Sequence, residues 1–246
     1  MAGYIDLHSH WVAGIDDGAR TPDDGYALLT ALRKAGFEHV VATPHMRPGM
    51  FDNARETILR AFGDTARAIG VDAARPASEL PTVSLSSEHF FDDVVYERLM
   101  SGTGVVYPGG HAVLIELSVT AFPARLQHRL YDLRKKNLTP VIAHPERYEP
   151  VWRDIRVLDP LLDAGAVLLM DVAALEGKYG RAPRKAAEAL LGEGYYYAAC
   201  SDAHRATDVE EVAEGIQLLF KRAGEEEATF LLREGPKHIL EGRIER

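Results

Sequence analysis

Tyr4-Ile5-Asp6-Leu7-His8-Ser9-His10 reads as a short buried strand that ends on two histidines. Tyr4, Ile5 and Leu7 have the apolar, partly β-branched character of strand residues. Strand side chains alternate between faces, so His8 and His10, two positions apart, point the same way. Two neutral imidazoles side by side at a strand end can grip one divalent metal ion. Two solvated or hydrogen-bonded histidines are the alternative, and the stretch alone leaves both open.

Working outward, the same kind of run recurs at Thr82–Glu88, His111–Glu116, Thr139–His144, Ala166–Asp171 and Tyr195–Asp202, and earlier at His39–His45. Stretches with helical spacing lie between them: Pro22–Ala35, Asn53–Gly70, Asp92–Met100, Pro123–Lys136, Trp152–Ala164 and Ala182–Leu191. Thr21 is placed to cap the first, with a proline at its first turn and Gly36 just past its end. Strand–helix alternation without a linker predicts an α/β fold of parallel strands with helical crossovers. Seven such strands in one domain over residues 1–246 predict a TIM-like, distorted seven-stranded (β/α)7 barrel, with a doubly wound open sheet as the second choice. The acidic run Gly224-Glu-Glu-Glu-Ala228 is placed to begin a helix near the C-terminus, and His238–Arg246 reads as amphipathic.

Every predicted strand ends in a histidine or a carboxylate: His8 and His10, His45, Glu88, Glu116, His144, Asp171 and Asp202. Asp16 and Asp17 follow the first strand and His204 the last. In a parallel barrel the C-terminal strand ends share one face, where functional residues collect. Histidine and carboxylate ligands without thiolate suit manganese, iron or zinc, and they are too many for one ion. Arg147, just beyond His144, is suited to hold two phosphoryl oxygens bidentately. The segment from His45 to Phe51 adds Arg47, a Pro48-Gly49 turn, and the apolar Met50 and Phe51, as a loop at the mouth would.

Composition narrows the classes. The net charge of -9 argues against a general nucleic-acid binder. Cys200 is the single cysteine, so no internal disulfide and no cysteine-rich zinc site can form. Only four residues separate Cys200 from Arg205, and Asp202 lies between, which does not suit a cysteine phosphatase. No signal-like or membrane-spanning apolar run appears, so the expectation is a soluble, cytoplasmic protein without membrane insertion. His39 and His111 stand at strand starts, His89 follows Glu88 but in an extended chain points away from it, and His128 and His238 lie on helical stretches; all five are read as structural or solvated.

Four motifs, His8-Ser-His10, Thr43-Pro-His45, Ala143-His-Pro-Glu-Arg-Tyr148 and Ser201-Asp-Ala-His204, together resemble those of the polymerase and histidinol phosphatase (PHP) superfamily. Ile15-Asp-Asp-Gly18 and the His45–Phe51 loop are similar to those of its bacterial manganese-dependent protein tyrosine phosphatases of capsule and exopolysaccharide clusters. The resemblance implies a three-ion site, with manganese first and iron or zinc as alternatives. One ion would take His8, His10, Glu88 and Asp202; a second Glu88, Glu116 and His144; a third His45, His204 and one of Asp16 and Asp17, with Asp17 preferred. It implies a metal-bridging hydroxide that attacks a phosphotyrosine clamped by Arg147, with His45 or His204 as possible proton donors. Arg47, Met50, Phe51 and Arg205 would contact substrate, the tyrosine-rich tail of a bacterial kinase. Two features depart from the family: Asp171 stands where a neutral amide is expected, and a second arginine is missing beyond His204 unless Arg205 replaces it. Competing readings are a histidinol-phosphatase-like enzyme for small phosphomonoesters and a non-catalytic, metal-stabilised PHP module.

Overall fold

The structure is a computed structural model that describes residues 3–71 and 79–244. The last two residues of the His238–Arg246 segment lie outside the described residues. Nine strands are present among them: β1 (Tyr4–Ser9), β2 (Phe37–Ala42), β3 (His45–Met46), β4 (Thr82–Leu85), β5 (Glu88–Phe90), β6 (Ala112–Glu116), β7 (Thr139–Ala143), β8 (Val167–Asp171) and β9 (Tyr196–Cys200). They form a three-stranded sheet, β1-β2-β4, and a six-stranded sheet, β3-β5-β6-β7-β8-β9, and every pairing is parallel.

The expected seven strands in one barrel are therefore corrected to nine strands in two sheets. Two predicted strands are each cut in half. The β2–β4 ladder ends at Ala42↔Leu85 and the β3–β5 ladder begins at His45↔Glu88. Pro44 lies in the gap and has no N–H to offer the ladder. Across the gap the Glu88 N–H instead reaches the Thr43 and Pro44 carbonyls at 3.3 and 3.2 Å. The strands run in sequence order through each sheet, so there is no reversal of the kind a doubly wound fold requires. The free edges of β1 and β9 meet just beyond the strands, where Ser9 bridges Ala203 and the His10 N–H donates to the Ala203 carbonyl at 3.0 Å.

Alternation along the strands builds two cores. Leu7, Val41, Leu114, Val141, Leu169 and Ala198 pack with one another on one face. Val40, Val113, Ile115, Ile142, Leu168 and Ala199 pack on the other face against the helices. With both faces covered, β6, β7 and β8 are buried along their whole length, which is why they read as continuous apolar runs. Helix α1 (Pro22–Lys34) has the expected start, a capping box between Thr21 and Asp24. The other helices are α2 (Arg55–Ala68), α3 (Asp93–Met100), α4 (Leu126–Lys135), α5 (Glu149–Arg153), α6 (Asp159–Asp163), α7 (Arg181–Gly192), α8 (Val209–Thr229) and α9 (Gly235–Glu241). The single helix expected over Trp152–Ala164 is broken into α5, a 3-10 turn and α6, because Asp154 caps a new turn and Pro160 starts another. Gly224 kinks α8 at φ 84°, so the acidic run restarts a helical stretch after the kink.

Tyr148 ties two strand ends together beneath the mouth. It is fully buried; its hydroxyl donates to the Ala143 carbonyl at 2.7 Å and accepts from the Leu117 N–H at 3.0 Å. Tyr148→Phe strands both groups and should cost about 1–3 kcal/mol. Urea unfolding of the metal-free protein measures it, and a change below about 0.5 kcal/mol would show that the hydroxyl is dispensable there.

Candidate metal centre

His8 and His10 do leave β1 on one side, 5.1 Å apart between ring centroids. Each is fixed through its Nδ1 atom: His8 by the Thr43 hydroxyl at 2.6 Å, His10 by Asp16 Oδ2 at 2.8 Å. That leaves both Nε2 atoms facing carboxylates. His8 Nε2 is 3.0 Å from Asp202 Oδ1 and 3.3 Å from Glu88 Oε1; His10 Nε2 is 3.5 Å from Glu88 Oε2 and 3.6 Å from Asp202 Oδ1. His144 directly follows β7 and Asp202 lies two residues past β9, and both adopt left-handed backbone, at φ 34° and 44°. Such a conformation is costly for a side-chain-bearing residue and collects at functional sites.

Glu88, fully buried at the start of β5, is the hub. Its oxygens lie within 3.5 Å of His8, His10, His45 and His144. Four groups of side chains each bring possible ligand atoms within 4.8 Å of one another: His8, His10 and Glu88; His8, His144 and Asp202; His45, Glu88 and Glu116; and His10, Asp17, His45 and His204. Asp16 falls outside all four. Its carboxylate accepts from His10 Nδ1, the Gly18 N–H and the His45 N–H, so it fixes the His10 ring and the His45 backbone from behind. Asp17 instead lies 3.4 Å from both His45 Nε2 and His204 Nε2.

A metal fits this donor set. His8 Nε2, His10 Nε2, His45 Nδ1, His144 Nδ1 and Glu116 Oε2 are buried without a hydrogen-bond partner. Buried polar atoms rarely go unpaired unless something else satisfies them. Without a metal the cluster holds protons instead. Burial opposes charge on His8, but Glu88 and Asp202 outweigh it and raise its pKa to about 10. The same contest, against Glu88 and Asp17, raises His45 to about 11. His144 is lowered to about 4 by burial and by Arg147. Burial and the neighbouring Glu88 raise Glu116 to about 7. Hydrogen bonds from His204 and His45 hold Asp17 well below the usual carboxylate range.

The mouth is basic and aromatic. Arg147 Nη1 donates to Asp202 Oδ2 at 2.6 Å, and its guanidinium lies 4.5 Å over the Tyr179 ring. Its partner is thus Asp202, not the adjacent Glu146 or Glu149. Arg47 sits 4.1 Å over the Phe90 ring and 3.8 Å from Glu116. Phe51 stacks on His45 at 5.1 Å, and Met50, 62% exposed, marks the loop tip. Arg205 is exposed and lines a side cavity with Arg20. Both ring nitrogens of His45 face carboxylates, which leaves neither for a leaving group.

The remaining histidines are occupied elsewhere or exposed. His89 is buried between the Leu114 carbonyl and the Val105 N–H; His39 bonds Thr82 and Ser84; His111 bonds Asn137. His128 is exposed, and His238 is half-buried against Tyr197. The Cys200 thiol is buried, bonds the Met170 carbonyl, and is pushed up by burial. Asp171 is buried beneath Arg147, and burial next to Asp202 raises it to about 6, part of the way to a neutral acid. Sequence reading gave no role to Thr43, Tyr179 or Asp6, although Thr43 lies within a quoted motif. Asp6 is buried, and it accepts from the Ser201 hydroxyl at 2.5 Å, joining β1 to the end of β9. Asp6 carried a signal of its own, a carboxylate inside an apolar strand.

A model of the family described as capsular polysaccharide synthesis, CpsB/CapC, matches residues 4–241. The chain belongs to this family. It is 26% identical to the tyrosine-protein phosphatase YwqE of Bacillus subtilis over 238 residues, covering 96% of this chain and 91% of that protein. It is 24% identical to the tyrosine-protein phosphatase CpsB of Streptococcus pneumoniae over 242 residues, covering 96% and 98%. A crystal structure described with YwqE and CpsB as unique metal-dependent tyrosine phosphatases superposes with a TM-score of 0.87 at 24% identity, covering 98% of this chain and 95% of that one. A phosphotriesterase homology protein from Escherichia coli, with phosphate in its active site, superposes at 0.58 and 14% identity, covering 96% and 98%. These two likenesses establish the α/β fold. Among the described residues no helix is long and apolar enough to cross a membrane.

Proposed function

We propose that this protein is a metal-dependent protein tyrosine phosphatase. The observation that carries the proposal is the set of buried imidazole nitrogens of His8, His10 and His45 that face Glu88 without a hydrogen bond, beside a guanidinium that opens to the mouth. The names of its relatives in the family support the same substrate class.

In this reading three divalent ions, manganese foremost, would be held by His8, His10, Asp17, His45, Glu88, Glu116, His144, Asp202 and His204. Asp16 serves behind His10. When bound, such ions polarise a phosphoryl group and lower the pKa of water so that a nucleophile forms at neutral pH. Arg147, held on one side by Asp202 and from below by Tyr179, binds non-bridging phosphoryl oxygens and offsets the charge that spreads over them in the transition state. Phe51, stiffened by its stack on His45, and Met50 offer the substrate ring an apolar wall. His45 and His204 act as ligands in this scheme. A phenolate leaves with a pKa of about 10, so a dedicated acid is less needed than for an alkyl phosphate.

One finer part of the proposal is a single domain over residues 1–246. A further part is a cytoplasmic role on the tail of a bacterial tyrosine kinase in capsule or exopolysaccharide synthesis. The family's description supports that last part. Chelator dialysis followed by manganese return tests the activity. Turnover of a phosphotyrosyl peptide should fall to background and recover, while histidinol phosphate should turn over at least about tenfold more slowly in kcat/KM. Metal-independent turnover, or a preference for histidinol phosphate, would overturn the assignment.

A further inference from the structure

A cavity of about 380 Å³ opens beside His204, at the side of the candidate metal centre. Gly18 and Ala19, the residues after Asp17, form one wall; His204, Arg205 and Thr207 form another. Arg20 and Arg205 both line it and both are exposed. Neither guanidinium forms an ion pair among the described residues, whereas Arg47, Arg147, Arg184 and Arg222 are all paired with carboxylates. Two positive side chains thus line one cavity in a chain of net charge -9. The acidic residue in the wall, Asp24, is engaged: its Oδ2 accepts from the Thr21 hydroxyl and from the Arg20 and Thr21 N–H groups at the helix cap.

We propose that this cavity is a subsite for an acidic side chain that flanks the phosphotyrosine of the substrate, with Arg20 and Arg205 as its binding residues. The inference rests on the phosphotyrosine reading and deepens it. His204 belongs both to the cavity and to the group it forms with His10, Asp17 and His45, so the two sites share a wall. A peptide advances at most about 3.3–3.6 Å per extended residue, so a side chain within three positions of the phosphotyrosine reaches across that wall. A carboxylate is the group that a guanidinium pair binds with both charge and geometry. Phosphate is the other candidate anion, and the test separates the two.

The experiment uses the full-length, manganese-loaded protein and phosphotyrosyl peptides. One Glu is moved from three positions before to three after the phosphotyrosine, and matched peptides carry Ala or Lys at each position. The kcat/KM ratio of the best Glu peptide to its Ala partner should be about fivefold. Arg20→Glu should abolish that ratio and favour the Lys peptide. Affinities of non-hydrolysable phosphonate versions of the same peptides should change in parallel. Inorganic phosphate should inhibit wild type and Arg20→Glu equally if the subsite is for carboxylate; selective relief of inhibition in Arg20→Glu would make the cavity a phosphate site and overturn the proposal. Equal rates for Glu and Ala peptides, or a ratio untouched by Arg20→Glu, would overturn the subsite alone. If no phosphotyrosyl peptide is turned over, the phosphotyrosine reading fails and the subsite falls with it.

Discussion

Replacing Arg147 with alanine should lower kcat/KM for a phosphotyrosyl peptide by roughly 10²–10³, the loss expected when one charge-stabilising donor is removed from a preorganised site. The metal content per protein should stay as in wild type. Arg147 touches Asp202 at Oδ2, while His8 and His10 face Oδ1, so Asp202 keeps those neighbours after the truncation. Arg147→Lys should recover only part of the rate. An ammonium restores the charge but not the planar fork, nor the same stacking on Tyr179. Steady-state kinetics combined with elemental analysis separates the outcomes. A rate within about twofold of wild type would remove Arg147 from the mechanism, and lost metal would move it to the ligand set.

Glu88→Gln should have the largest effect of any single substitution. One neutral amide would then replace the carboxylate that four histidines face. At least one ion should be lost, and turnover should fall to roughly 1% or less. The effect also has a pH signature. His8 and His45 have pKa values of about 10 and about 11 in the metal-free fold, above the ordinary 6.5. Their pairing therefore stabilises the metal-free protein fully below pH 6.5, and that stabilisation is lost as pH rises through 10 to 11. At pH 7 both rings are protonated, so metal binding must expel protons, and affinity should rise with pH by roughly tenfold per unit for each proton displaced. Without the Glu88 charge both values fall and fewer protons are released. Calorimetry in buffers of different ionisation enthalpy counts them. Equal proton release from both proteins would show that Glu88 does not hold the rings charged.

The mouth was legible because strand chemistry is local. A two-residue spacing puts His8 and His10 on one side whatever surrounds them, and parallel strands with helical crossovers deliver Glu116, His144 and Asp202 to one end. The break at Pro44 was written in the sequence too, but the strand pattern ran on through it. A proline's missing donor matters only when the neighbour that would have paired with it is known. The helix expected over Trp152–Ala164 failed for a similar reason: its apolar spacing continues across Asp154 and Pro160, and those two residues end one turn and begin another.

The choice between Asp16 and Asp17 shows where local reasoning stops. Adjacent residues face different ways, so the sequence alone determined that one of the pair would differ in role from the other. The tertiary structure gave the two different surroundings: His10, Gly18 and His45 close around Asp16, while His45 and His204 approach Asp17. Likewise the sequence determined the ligand chemistry, the parallel strands and an arginine at the mouth, since each depends on residue type and on periods of a few residues. Only the tertiary structure set Tyr179 under Arg147, Thr43 against His8, Asp6 between the first and last strands, and Arg20 beside Arg205. Those pairs are far apart in the chain, and the distance between such residues is fixed by packing, which no short-range pattern encodes.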